Sequence, residues 1–158
     1  MVKFSILKDR LEEIEAIKAK YPQARSAMLP VLWLVQRQEG WISQEAMEEV
    51  AEVMGCTVAE VYEVVSFYTM FHQRPVGKYH FAMCDTLSCA ICGSMEAADY
   101  MKEKYGIEKN KVTADGKFSI EYVECIGACA NAPAMLMNED LITNLTPDSI
   151  DKLIAECD

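Results

Sequence analysis

Four cysteines set the strongest condition on how this chain can fold. Cys84 and Cys89 form one close pair, Cys125 and Cys129 a second, and thirty-five residues separate the pairs. Each pair directly follows a run that reads as a β-strand, Lys78 to Met83 for the first and Lys117 to Glu124 for the second. Two sulfurs are too few to hold a metal centre alone. A site using all four requires two strands of one small sheet whose ends lie side by side.

Composition decides what those sulfurs are for. The first ten residues reach Lys8, Asp9 and Arg10 before any apolar stretch of signal-peptide length, and the longest apolar run, 27–35, has nine residues and includes Pro30. A bilayer span needs roughly 20. The expectation is a cytoplasmic protein without membrane insertion, in a reducing compartment where seven cysteines, an odd number, make a poor disulfide framework. Metal binding becomes the leading use. The net charge of −10, from 25 acids against 15 bases, argues against a nucleic-acid partner, whose phosphates reward lysine and arginine. The acidity is uneven: residues 1–77 carry 8 bases and 11 acids, whereas residues 78–158 carry 7 and 14. That bias serves solubility or a charged surface for a protein partner.

Two periods divide the chain. Up to about Met70 the apolar residues recur at helical spacing. Leu7, Leu11, Ile14 and Ile17 make one stripe, with Ser5 as an N-cap and Pro22 beyond its end. A second helix is expected from about Ser26 to Gln38, with Pro30 near its first turn and Gly40 as its stop. A third follows Ser43 and ends at Gly55. The fourth opens on Thr57-Val-Ala-Glu60, the spacing of a capping box. Arg74-Pro75-Val76-Gly77 breaks the pattern and reads as a link. Beyond it, strands are predicted at 78–83, 117–124, 134–137 and 141–142, with helices at 93–105 and after the Thr146-Pro147-Asp148 cap. The expected fold is α+β: a small helical bundle over 1–73, then a domain over 78–158 with a mixed sheet of about four strands flanked by helices.

Four soft thiolates match the needs of a [2Fe-2S] cluster, two per iron. In Cys84-Asp-Thr-Leu-Ser-Cys89 and Cys125-Ile-Gly-Ala-Cys129 the intervening residues give each loop room to aim both sulfurs at one point, and Gly127 helps the second loop turn. Gly93-Ser94 is placed to start a helix whose amides face an anionic group. Two other uses remain open. A Cys₄ site also holds zinc, which would make the chain a stapled adaptor. Cys89-Ala-Ile-Cys92 is a C-x-x-C between strand and helix, the setting of a thiol-disulfide oxidoreductase, although it leaves Cys84, Cys125 and Cys129 without a task.

The paired cysteines, Ser66-Phe-Tyr-Thr-Met-Phe71 ahead of Pro75-Val-Gly-Lys78, Gly93-Ser94 and Cys125-Ile-Gly-Ala-Cys129-Ala-Asn-Ala-Pro133 resemble the thioredoxin-like [2Fe-2S] ferredoxin family. This is the family of the 24 kDa, or E-type, component of respiratory NADH dehydrogenase (complex I), and the likeness covers nearly the whole chain. The resemblance implies a helical bundle followed by a thioredoxin-like domain and one [2Fe-2S] cluster on Cys84, Cys89, Cys125 and Cys129. It also implies a flavoprotein partner that binds FMN and NADH and has its own iron-sulfur centre. Further subunits of complex I, of NAD(P)-linked and electron-bifurcating hydrogenases, or of formate dehydrogenases belong to the same expectation, at the cytoplasmic face of the membrane where the complex is membrane-bound. On this reading the chain is part of an oxidoreductase but carries no substrate site. No Gly-rich dinucleotide fingerprint follows a strand here, so NAD and FMN fall to the partner.

Cys92 departs from the family pattern and reads first as an inert spare thiol, with a redox-sensitive neighbour or an alternative ligand to Cys89 as the other readings. Cys56 and Cys157 read as packing residues, and His72 and His80 as structural. Asp85 and Glu124 adjoin ligand cysteines, where their charge would oppose further negative charge on the site. In a thioredoxin-like fold Pro133 would follow a cis bond. Of Trp33, Trp41, Tyr62, Phe67, Tyr68 and Phe71, about four should be core and the rest a docking surface.

Overall fold

Residues 6–158 are described by the computed structural model. Helices come first, as the apolar period predicts: α1 Leu11–Lys18, α2 Met28–Glu39, α3 Gln44–Met54 and α4 Val58–Phe67. The cap expected at Ser5 lies outside the described residues. The first stripe starts later than expected, with a 3₁₀ turn at Lys8–Arg10 ahead of α1. Here the buried Glu49 carboxylate accepts the N–H groups of Ile6 and Leu7 at 2.8–3.1 Å, so a side chain rather than a preceding turn secures this stretch. A second 3₁₀ turn, Ala24–Ala27, precedes α2 and leaves Pro30 as its third residue, where a missing N–H costs no helical bond.

The caps work as their chemistry requires. Ser43 Oγ accepts from the Ala46 N–H, Thr57 and Glu60 close a reciprocal capping box, and Gly40 and Gly55 end their helices in the left-handed region. Buried Ala46, Met47, Val50, Ala51 and Met54 of α3 meet Val31, Leu32 and Val35 of α2, Val61 and Val65 of α4, and Ile14 of α1 in one core. Each fully buried aliphatic side chain contributes about 1.5–3 kcal/mol. The chain falls into two compact units; this core belongs to the one ending at Pro75.

The second unit, Val76–Asp158, contains β1 Tyr79–Cys84, α5 Leu87–Ile91, α6 Ser94–Tyr105, β2 Phe118–Val123, β3 Ala134–Met137, β4 Asp140–Thr143 and α7 Pro147–Glu156. The sheet order is β2-β1-β3-β4, with β1 and β2 parallel and the other neighbours antiparallel. It is the four-stranded mixed sheet that the sequence predicts. The short helix α5, inside the first cysteine loop, was not expected. Alternation along the strands sends Phe81, Met83, Phe118, Ile120 and Met135 to one face. There they pack with Ala97, Ala98 and Met101 of α6 and Ile150 of α7. The two helices are tied together at Asp151, which accepts from Tyr100, Tyr105 and Lys104 at 2.6–2.8 Å. No helix among the described residues is long and apolar enough to cross a membrane.

Candidate metal centre

Parallel pairing of β1 with β2 is what brings the two cysteine loops together. Cys84 ends β1 opposite Val123, the last residue of β2, and the Asp85 N–H continues the ladder to the Val123 carbonyl at 3.1 Å. Both strands therefore release their chains at the same sheet end. Cys84 lies on the strand itself, one residue earlier than a loop ligand would, because the ladder runs one residue past Met83. β3 enters from that end too, through a cis Ala132–Pro133 bond, as the thioredoxin-like expectation requires.

The four sulfurs divide into an inner and an outer pair. Cys84 and Cys89 are each 1% exposed and pack with Ala134, Ile126, Ala128 and Ala132 in a small apolar cluster separate from the sheet core. Cys125 and Cys129 are exposed, with their sulfurs 3.6 Å apart. Cys84 Sγ lies 3.1 Å from Thr86 Oγ1, and the Gly127 N–H donates to Cys125 Sγ at 3.4 Å. Gly127 adopts φ 80°, the left-handed conformation that turns its amide back to the sulfur. The polar groups reaching the sulfurs come from both loops and the start of β3. The helix expected at Gly93-Ser94 is present as α6, which opens with Gly93 in the left-handed region.

Within each pair one thiol is pulled down and its neighbour pushed up. Burial pushes Cys84 up, but hydrogen bonds from the Thr86 hydroxyl and amide, the Cys89 thiol and the Ile126 amide outweigh it and leave it below its ordinary value. Cys89 rises, chiefly through burial and then through its bond to Cys84, against a lowering contact from the Ala134 amide. Cys125 is lowered by the Gly127 amide and then by Cys129. Cys129 rises because it donates to Cys125, with the Ser88 hydroxyl opposing. A metal ion binds such sulfurs as thiolates and displaces their protons. Four soft donors of this kind at one sheet end fit an iron-sulfur group.

The other candidates lie elsewhere. Cys92 is exposed at the C-cap of α5. Cys56 is half-buried next to the first core, and buried Cys157 donates to the Leu153 carbonyl at 3.2 Å. His80 is buried, its Nδ1 2.8 Å from Ser119 Oγ and its Nε2 3.2 Å from a Glu121 carboxylate oxygen. The His72 N–H donates to Gln36 Oε1 at 2.7 Å. Asp85 and Glu124 are both exposed. Thr86 and Ser88 are the side chains at the sulfurs that the motifs do not point to. Two hydroxyl residues within a four-residue gap between sulfurs were the available signal.

Comparison with known proteins gives a consistent picture. Residues 14–158 match the thioredoxin-like [2Fe-2S] ferredoxin family. The E-type component of NADH-quinone oxidoreductase from Rickettsia bellii is 44% identical over 154 residues, covering 96% of this chain and 92% of that protein. An E-type component of NADH-quinone oxidoreductase from Rhizobium meliloti is 41% identical over 143 residues, 90% of this chain and 85% of that one. Among solved structures, the air-oxidized NAD⁺-reducing [NiFe]-hydrogenase superposes with a TM-score of 0.65 at 25% identity, over 72% of this chain. The match spans only 20% of that hydrogenase chain.

Proposed function

The chain belongs to the thioredoxin-like [2Fe-2S] ferredoxin family, and we propose that it is the electron-transfer subunit of an NAD(H)-linked oxidoreductase complex, of the complex I or NAD⁺-reducing hydrogenase kind. The observation that carries this reading is the convergence of Cys84, Cys89, Cys125 and Cys129 at the shared end of β1 and β2. These four are the proposed ligands, and a [2Fe-2S] group bound there supplies a one-electron couple. The 3.6 Å between Cys125 and Cys129 sulfurs is close to the edge of a tetrahedron with metal–sulfur bonds of about 2.3 Å. That supports one metal per pair. Thr86 and Gly127 donate hydrogen bonds toward Cys84 and Cys125, which stabilises thiolate charge and favours the more negative state of the site. The inner pair is shielded from solvent, whereas the outer pair is exposed.

NADH and FMN are assigned to a partner flavoprotein with its own iron-sulfur centre, in a complex on the cytoplasmic side. The relatives' names support the presence of partner subunits, each relative being a subunit of an NADH-quinone oxidoreductase. A thioredoxin-type reaction at Cys89 and Cys92 is disfavoured by geometry. The attacking thiol of such a motif is partly exposed at a helix N-terminus, whereas Cys89 is buried within α5 and Cys92 sits at its C-cap.

Anaerobic purification tests the proposal. Brown protein with about two irons and two acid-labile sulfides per chain, and an EPR signal on reduction, is expected. Serine at any one of Cys84, Cys89, Cys125 or Cys129 should lower iron content or shift that signal. Colourless protein holding one zinc would refute it.

A further inference from the structure

The first ligand loop has an outer side that the metal centre does not use. Leu87 and Ile91 of α5 are 75% and 76% exposed, among the most exposed large apolar side chains of the described residues. They are four residues apart and so share one side of the helix. Cys89 lies two residues after Leu87, about 200° around the axis, and is buried. One short helix thus turns a sulfur inward and two aliphatic side chains outward. Ser88, between them in sequence, reaches Cys129 with its hydroxyl, so the apolar pair adjoins both cysteine pairs.

The surroundings are acidic. Asp85 and Glu124 are exposed at the ends of adjoining strands, and Glu96 and Asp99 are exposed in the first two turns of α6. Residues 78–158 carry 14 acids against 7 bases. A second copy of this chain would set like charges against one another, and phosphate-bearing surfaces are repelled for the same reason.

We propose that Leu87 and Ile91 are the docking face for the flavoprotein subunit, which meets them with an apolar socket bordered by lysine and arginine. This inference rests on the electron-transfer reading above and adds the partner's surface chemistry to it. Burial of the aliphatic pair supplies affinity, and the acidic rim steers encounter and fixes orientation. The donor then lies one helix width, about 10–12 Å, from the Cys89 side of the centre.

Binding of the iron-loaded full chain to the FMN-bearing subunit of its own complex tests this, titrated at low and high salt. Leu87→Ser with Ile91→Ser should weaken binding roughly tenfold or more while the iron-to-sulfide ratio and visible spectrum stay unchanged. Leu141→Ser, at an exposed side chain of the edge strand β4, should leave affinity as it was. Wild-type affinity should fall with salt, and Glu96→Lys with Asp99→Lys should weaken it without touching α5. Unchanged affinity in the Leu87/Ile91 variant with its iron intact would overturn the docking face, as would wild-type affinity that rises with salt. If that variant loses iron, the Glu96/Asp99 variant decides: normal affinity there overturns the proposal. Loss of self-association, seen by light scattering without loss of flavoprotein binding, would assign the face to a second copy instead. Wild-type protein that never holds iron sinks the electron-transfer reading itself, and the iron assay reports this before any titration.

Discussion

Cys92 stands three residues beyond Cys89, yet the two side chains have opposite surroundings. Cys89 is enclosed with Cys84 and Ala134, while Cys92 is in solvent at the end of α5. We therefore expect Cys92→Ser to keep full iron and sulfide content and Cys89→Ser to lose most of it, as read by metal analysis. The reverse result would make Cys92 the ligand. A different constraint operates at Gly77, which is buried and donates to Ser119 Oγ at 2.8 Å. A Cβ there would lie 2.5 Å from the Phe118 carbonyl carbon, backbone that cannot swing aside. Gly77→Ala should cost about 1–3 kcal/mol, visible as a lower urea midpoint. Of these residue-scale facts, sequence inspection finds the cysteines but not the Gly77 contact, which exists only once β1 and β2 are paired. The aromatic residues were readable in part. Phe71 is buried and Trp33 and Tyr68 pack on the core, whereas Tyr62 and Phe67 are exposed.

Element ends were the most legible feature, because a cap needs one hydroxyl or one glycine at one place. Ser43, Thr57, Thr146, Gly40 and Gly55 all sit where local chemistry puts them. Thr57→Ala should remove the α4 capping box at a cost of about 1 kcal/mol, measurable as a lower melting temperature. The helix α5 escaped notice because five residues are too few to display a period. The tie between α6 and α7 was equally hidden, since residues 46–51 apart in sequence make it. Hydrogen bonds from Lys104, Tyr100 and Tyr105 hold the Asp151 carboxyl well below its ordinary value, to about 2. A depressed carboxyl contributes stability above its unfolded value near 4, and that contribution disappears as pH falls through the folded one. Asp151→Asn should therefore melt below wild type at pH 7, and the gap should close between about pH 4 and pH 2. A gap that persists at pH 2 would show that the carboxylate charge is not what ties the helices.

At the scale of the molecule, each unit has its own apolar cluster, one built by α1 to α4 and one by the sheet with α6 and α7. We propose that the helical part, 1–73, and the cysteine-bearing part, 78–158, fold independently. Residues 76–158 expressed alone should then give a cooperative unfolding transition and take up about two irons per chain; a molten, iron-free product would refute that. The change of apolar period near Met70 is the sequence signal for that proposal, and the mixed sheet followed from four short strand signals. The strand order did not, because register depends on partners distant in sequence. The inner cysteines pack in a small cluster of their own with Ala134, apart from Phe81, Met83 and Ile120 in the sheet core. Inheritance can act on these two groups separately. In the proposed cluster protein, substitutions in the sulfur loops would shift the potential of the centre through its hydrogen bonds and burial, while Phe81, Met83 and Ile120 keep the sheet core unchanged.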